Sequence, residues 1–294
     1  MKLTDKTKSI VHHILLYGPP KSGKTKLVGT LASKYKLIWF DLESGYKTLL
    51  QLPKESQENI ELISLPDTPS FPVAIQTCLQ VIKGTKTKIC EAHGVNTCAL
   101  CLKTQGAFTA VELNACDPSD TIVVFDSSTQ LTASSICFVN KGQPVEYKMQ
   151  TDDWGNVGKL NEAFYSHVQN APFNIIVIAH DIDLAKKEND PKHVVPSAGS
   201  RNFSRNFAKF FDDVIYCEVK NGRHIAASST LYSGGILTGS RTGIALENDK
   251  SGAVNLLDLF DPDRPKEEKL ETPGSSSISA LERIRANLHS AKGK

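Results

Sequence analysis

Gly18-Pro19-Pro20-Lys21-Ser22-Gly23-Lys24-Thr25 fills the whole eight-residue phosphate-loop pattern. The residue types suit one task. The glycines let the backbone fold into a nest of N–H donors, Lys24 can reach the β- and γ-phosphates of a nucleotide, and the Thr25 hydroxyl can hold Mg2+. Gly18 through Lys26 is therefore the expected ATP-binding segment. Its flanks agree with this reading. The apolar run Ile14 to Tyr17 reads as a strand entering the loop. Leu27, Val28, Leu31, Ala32 and Tyr35 follow at helical spacing, so a helix should begin here with its positive dipole end toward the anion.

In an open α/β sheet the ligand sits at the carboxyl ends of the strands, so polar residues that end apolar runs are the next candidates. Leu37 to Glu43 (LIWFDLE) ends in two acids, Asp41 and Glu43, and Glu43 is placed to orient or deprotonate an attacking water. The competing reading is a solvated turn, for which Glu-Ser-Gly is ordinary material. Thr121 to Asp126 (TIVVFD) reads as a Walker B strand, with Asp126 holding Mg2+ through water. Asn174 to Asp181 (NIIVIAHD) ends in His180, either a sensor on the γ-phosphate side or a histidine packed at the sheet edge. Lys24, Glu43, Asp126 and His180 are the catalytic candidates of this chain, and Thr25 and Asp126 its Mg2+ ligands.

Between these strands the pattern is coarser. A strand is expected over Glu61 to Leu65, and helices over Pro72 to Ile82, Ser128 to Val139 and Gly155 to Gln169. A polar segment containing Trp154, a base-stacking or core tryptophan, precedes the last helix. Ile182 to Ser200 reads as a mobile basic loop with Lys186, Lys187 and Lys192, after which Arg201 and Arg205 open a helix ending near Phe211. Asp213 to Val219 and Ile225 to Leu231 form a hairpin turning at Asn221-Gly222. Ile236 to Thr238 and Ile244 to Leu246 suggest another strand pair around Gly239 to Gly243, with Arg241 projecting from the turn.

From Lys83 to Asn114 the α/β pattern breaks, and Cys90, His93, Cys98 and Cys101 appear as C-x2-H-x4-C-x2-C. Thiolate and imidazole ligands in two short pairs enclose tetrahedral Zn2+, and four such ligands leave no open position, so the site would be structural. The alternative is four unrelated reduced side chains in a polar loop. Cys116 could replace a ligand, at a poorer spacing.

At 294 residues and 40% hydrophobic content the chain suits one large α/β domain with an insertion or a tail. The expected division is a core of residues 1–82 and 117–260, a zinc-knuckle-like insertion at 83–116, and a charged linker with a C-terminal helix at 261–294, capped by Ser279 with Glu282. No run reaches transmembrane length and the first residues lack a signal-peptide core, so a cytoplasmic protein without a membrane partner is expected. The net charge of +2 does not itself demand a nucleic acid, and seven cysteines without a secretion signal argue against a disulfide framework.

Together the motifs are similar to a known group. GPPKSGKT, WFDLESG, TIVVFDSSTQL, NIIVIAHD and PSAGSRNFSRNFAKFFDDVIY, in that order over residues 12 to about 246, resemble the RecA-like core ATPases. The closest likeness is to the phage-encoded ATP-binding proteins of the single-strand-annealing recombinase group. The resemblance implies a RecA-like P-loop NTPase core with a mainly parallel sheet and C-terminal β-hairpins. It also implies Mg-dependent ATP hydrolysis coupled to handling single-stranded DNA, in a homo-oligomeric ring or filament that works with a single-strand-binding protein. In that family Glu43 corresponds to the water-polarising glutamate and Asp126 to the Walker B aspartate, while the sensor, commonly glutamine, is His180 here. The loops Lys141 to Trp154 and Ile182 to Ser200 correspond to those lining the DNA channel, so Lys186, Lys187, Lys192, Arg201 and Arg205 are the DNA-binding candidates. Arg241 best matches the basic residue that reaches a neighbouring subunit's nucleotide. For phage-encoded members the compartment is the bacterial host cytoplasm. The zinc-like insert departs from the RecA pattern, and no separate N-terminal DNA-binding domain is read ahead of the phosphate loop, which argues against full strand exchange and leaves annealing and loading of another protein both open. Two rival readings stay open: a nucleotide-binding assembly or packaging factor with a protein partner, and a small-molecule kinase.

Overall fold

Residues 11–68, 70–144, 146–185, 187, 190–227, 235–242 and 255–260 are described by a computed structural model. They lie in one unit, Met1–Pro262; the expected C-terminal helix, the Ile244 to Leu246 strand and Lys186 fall outside the described residues.

The chain opens with β1 (His13–Tyr17), the phosphate loop and α1 (Lys24–Gly29), followed by a 3-10 turn at Thr30–Ser33. Next come β2 (Lys36–Asp41), α2 (Lys54–Glu58), β3 (Ile60–Ser64) and α3 (Ala74–Val81). The inserted stretch supplies β4 (Thr87–Cys90), α4 (Ala99–Lys103) and β5 (Phe108–Val111). The chain then returns through β6 (Thr121–Asp126), α5 (Ser128–Val139), α6 (Thr151–Gln169) and β7 (Asn174–Ala179). It continues with β8 (Asp181–Asp183), β9 (Val194–Pro196), α7 (Arg201–Asn206), β10 (Asp213–Lys220), β11 (Arg223–Ala227), β12 (Gly239–Ser240) and α8 (Leu257–Phe260).

The main sheet runs β11-β10-β1-β7-β6-β2-β3, with β12 also paired to β10. Every pairing from β10 across to β3 is parallel; only β11 and β12 are antiparallel. A parallel sheet is covered on both faces, which is why its strands are unbroken apolar runs. Alternation along each strand divides the core in two. Leu15, Tyr17, Val123, Phe125, Ile175 and Val177 face α3, α5, α6 and the aromatic cluster of Tyr165 with Phe207, Phe210 and Phe211. Ile14, Leu16, Ile122, Val124, Ile176 and Ile178 face Val28 of α1, Leu31, Leu49, Leu52 and Leu259 of α8.

The register determines where the chemistry can be. Tyr17 pairs Ala179 and Tyr216, Asp41 pairs Asp126, and Asp126 pairs Ile178. The phosphate loop, the two strand-end aspartates and His180 therefore leave the sheet along one edge.

Several elements differ from the sequence reading. The helix over Pro72 to Ile82 is shorter, because Pro72 lies outside it and Val73 is its N-cap. α6 begins at Thr151, ahead of Gly155, because Asp153 Oδ2 accepts from the Gln150 N–H (2.7 Å) and the Tyr147 hydroxyl (2.6 Å) and closes the first turn. Trp154 thus belongs to a helix. Ile182 to Ser200 is more than a polar loop: β8 and β9 pair antiparallel, and Val194, Val195 and Ala198 are buried. Of its charged residues, Lys187, Asp190 and Lys192 lie between the two strands. Gly239 lies in a strand along β10 rather than in a turn. The hairpin of β10 and β11 does turn at Asn221-Gly222, both with positive φ (51° and 75°), the pairing that a two-residue turn needs. Among the described residues no helix is long and apolar enough to cross a membrane.

Candidate active site

The phosphate loop is built by close backbone approach. Gly18 has φ 152°, and a Cβ there would lie 1.9 Å from the Cys217 carbonyl oxygen of β10, so only glycine lets β1 and β10 stay paired into the loop. Gly23 has φ 89°, and its absent side chain is replaced by the His224 ring, whose Nδ1 lies 3.0 Å from the Ser22 carbonyl. Nothing in the sequence marked His224, which β11 carries back across the loop. Lys24 is buried and donates to the carbonyls of Gly18 and Pro19, 2.8 Å each. Burial lowers its pKa, against the pull of Cys217, Asp126, Asp181 and Glu43, so a bound phosphate would satisfy a charge that water does not.

The acidic side is equally constrained. Thr25 Oγ1 donates to Asp126 Oδ2 at 3.0 Å, which joins the two expected Mg2+ ligands directly. Burial, then the Glu43 charge, then Asp41, push the Asp126 carboxyl up to about 7, although the Thr25 hydroxyl and Lys24 pull the other way. Three carboxylates at one strand edge repel one another, and a hard divalent cation relieves that repulsion. The donor set fits Mg2+ with a nucleotide phosphate.

Asp41 does not itself address the site. Its carboxylate accepts the backbone N–H groups of Glu43, Gly45 and Tyr46 at 3.2, 3.0 and 3.2 Å, and so shapes the turn that carries Glu43. Glu43 is held by two partners on Oε1: the Ser127 hydroxyl donates to it, and His180 Nε2 lies 3.4 Å away. Burial raises the Glu43 pKa, but the hydrogen bonds from His180 and Ser127 and the charges of His180 and Lys24 outweigh it, leaving the group below its ordinary value. It is a carboxylate at neutral pH. Ser127, adjacent to Asp126, was missed by the sequence reading, although a hydroxyl following a Walker B aspartate is visible there. The His180 backbone N–H donates to Thr129 Oγ1 at 3.0 Å.

Residues 12–246 match the family model described as AAA domain. The chain belongs to this AAA-domain family. No curated protein matches it. Membership of this family indicates nucleotide binding and ATPase activity, with ATP and Mg2+ as ligands of the domain.

The remaining candidates are scattered. Arg241 is half-exposed at the opposite edge of the AAA domain's sheet, where it bonds the Lys209 carbonyl (2.9 Å) and faces Asp212 (3.7 Å), away from this chain's own phosphate loop. Arg201 lines a cleft of about 440 Å3 together with Trp154, Ile182, Ser197, Gly199, Ser200, Asn202 and Ser204. Lys187, Lys192 and Arg205 are exposed but do not line it. Cys90, His93, Cys98 and Cys101 converge and could hold a metal ion, whereas Cys116 is turned to the Glu112 carbonyl.

Proposed function

We propose that this AAA domain is a Mg2+-dependent ATPase with a RecA-like core that grips single-stranded DNA in the Trp154–Arg201 cleft, acting in recombination or single-strand annealing. The observation that carries this reading is the short path between the carboxylates and the cleft. Glu43 is bonded to Ser127 and His180; the next residue, Ser128, donates to the Ser197 carbonyl (3.0 Å), the Ser197 N–H donates to the His180 carbonyl (2.8 Å), and Thr132 Oγ1 accepts from Gly199 (2.8 Å). Ser197 and Gly199 line the cleft. Any movement of Glu43 or His180 on nucleotide binding is felt there within one or two hydrogen bonds. The order of β10, β1, β7, β6 and β2, with Glu43 leaving the strand beside the Walker B strand, supports the RecA-like reading.

Bound Mg·ATP supplies the phosphoanhydride to be cleaved and a cation that neutralises charge developing on its oxygens. Gly18 to Thr25 hold it, and Glu43 orients water. A half-exposed indole beside a guanidinium offers a stacking platform and a phosphate contact, which together hold single strands without reading sequence. Arg241, unable to reach its own loop, is assigned to the nucleotide of a neighbouring subunit in a homo-oligomer.

Steady-state ATP turnover with single-stranded DNA, with duplex DNA and without DNA tests this. Single strands should stimulate selectively, and Trp154→Ala and Arg201→Ala should each raise the DNA concentration for half-stimulation by about tenfold, the equivalent of losing one stacked base or phosphate contact. Turnover indifferent to DNA would overturn the DNA reading and favour an assembly factor with a protein partner.

A further inference from the structure

We propose that Cys90, His93, Cys98 and Cys101 bind one structural Zn2+, with His93 ligating through Nδ1, and that this ion clasps the inserted segment onto α3 and the end of β3. The inference is independent of the nucleotide chemistry. The ligand atoms all lie within 4.8 Å of one another. His93 Nδ1 sits 3.2 Å from Cys101 Sγ, 3.7 Å from Cys98 Sγ and 3.8 Å from Cys90 Sγ. In a tetrahedron with Zn–S near 2.3 Å and Zn–N near 2.05 Å, each N···S edge is about 3.6 Å. The three observed edges scatter around that value, and they are edges to Nδ1, which names the coordinating nitrogen.

The backbone supports the same geometry. Cys90 ends β4 and His93 lies in the tight turn after it, closed by Gly94 N–H to the Cys90 carbonyl at 2.9 Å. Cys98 is the N-cap of α4 and Cys101 lies inside that helix, so each pair straddles a single turn and presents its donors to one point. Among the described residues, only Val95 and Phe108 pack against these cysteines, which is little apolar surface to fix the turns that carry the four donors. Metal binding would provide that free energy. Four soft donors close the coordination sphere, which favours a structural ion over a catalytic one and zinc over a hard cation.

The clasp has a defined attachment. Gly94 has φ 64°, and a Cβ there would press within 3.0 Å of Pro66 Cδ and 3.1 Å of the Leu65 Cα, just beyond β3. Its carbonyl accepts from Thr77 Oγ1 of α3 at 2.7 Å. Ile89, Val111 and Leu113 then bury into the core shared with α3, so the insertion is docked on both sides of the metal site. α3 itself is tied to α5, where the Ser134 hydroxyl accepts from the Ile75 N–H at 3.1 Å.

The test is metal analysis of the full chain purified without chelator, followed by titration of the chelated, reduced protein with Co2+. The expected results are about one zinc per chain and the intense visible absorption of tetrahedral cobalt thiolate, displaced on adding Zn2+. His93→Cys should retain the metal as a four-thiolate site, and His93→Ala should weaken binding at least tenfold. Cys98→Ser, if it folds, should lose the metal and expose the 83–116 segment to proteolysis before the rest of the chain. Absence of both metal and a cobalt spectrum would overturn the site, iron in place of zinc would overturn its identity, and undiminished affinity in His93→Ala would overturn ligation by Nδ1.

Discussion

Glu43→Gln is expected to bind ATP with wild-type affinity and to hydrolyse it at least ~10²-fold more slowly. The substitution keeps the shape and removes only the charge. Glu43 lies beyond the end of β2, in a turn fixed by three backbone N–H bonds to Asp41, so its backbone position does not depend on its own ionisation. The hydrogen bonds of Lys24 to the loop and of Thr25 to Asp126 do not run through it, which is why binding should survive. Its pKa is held below the ordinary range by His180 and Ser127 despite burial. A carboxylate held in this way is expected to orient and polarise water while phosphoryl oxygens carry the charge. With the Ser127 and His180 contacts both on Oε1, Oε2 is the oxygen that can address the water. Nucleotide affinity and phosphate release measured on the same preparation decide the matter; unchanged turnover would remove Glu43 from the reaction, and lost binding would show that it shapes the pocket instead.

The parts of this site that were legible in the sequence are those fixed by local pattern. A strand buried on both faces must read as an unbroken apolar run, so β1, β2, β6 and β7 were visible, and with them the polar residues at their ends. Glycines and a lysine at fixed spacing identified the loop for the same reason. Contacts made by register were not legible. Ser127 reaches Glu43 because β6 and β2 pair Asp126 with Asp41, and His224 reaches the loop because β11 folds back along β10. Neither partner is implied by spacing along the chain. The β8–β9 pairing was hidden by the charged composition of the sequence between its strands, which outweighed the short Val194–Pro196 strand. The start of α6 was hidden by Gly155, an exposed poor helix former whose added Cβ would meet nothing within 4 Å and which is carried by the closed turn before it.

Asp126→Asn should abolish turnover and yet make the metal-free protein more stable at pH 8. The two effects share one cause. Asp126 is buried beside Glu43 and Asp41, and desolvation followed by those like charges raises its pKa from 3.8 to about 7. A carboxyl whose folded pKa is raised contributes stability that is complete below about pH 4, where both states are protonated, and is lost as pH climbs through about 7. At pH 8 the ionised carboxylate therefore costs the fold up to roughly 4 kcal/mol, and relaxation of Glu43 and Asp41 lowers this to about 1–3 kcal/mol. Asparagine removes that charge and can still accept from Thr25 Oγ1, so with chelator present its melting temperature should exceed the wild type's by several degrees at pH 8 and converge with it near pH 4. Mg2+ with ATP should reverse the order, because it stabilises the carboxylate and has little to hold in the amide. Above about pH 7 the like charges of the site are thus uncompensated, and a divalent cation relieves them. Calorimetry at the two pH values, with chelator and with Mg·ATP, separates the cases: an asparagine variant less stable than wild type at pH 8 without metal would show that the Asp126 carboxylate holds the fold together and is not poised for Mg2+.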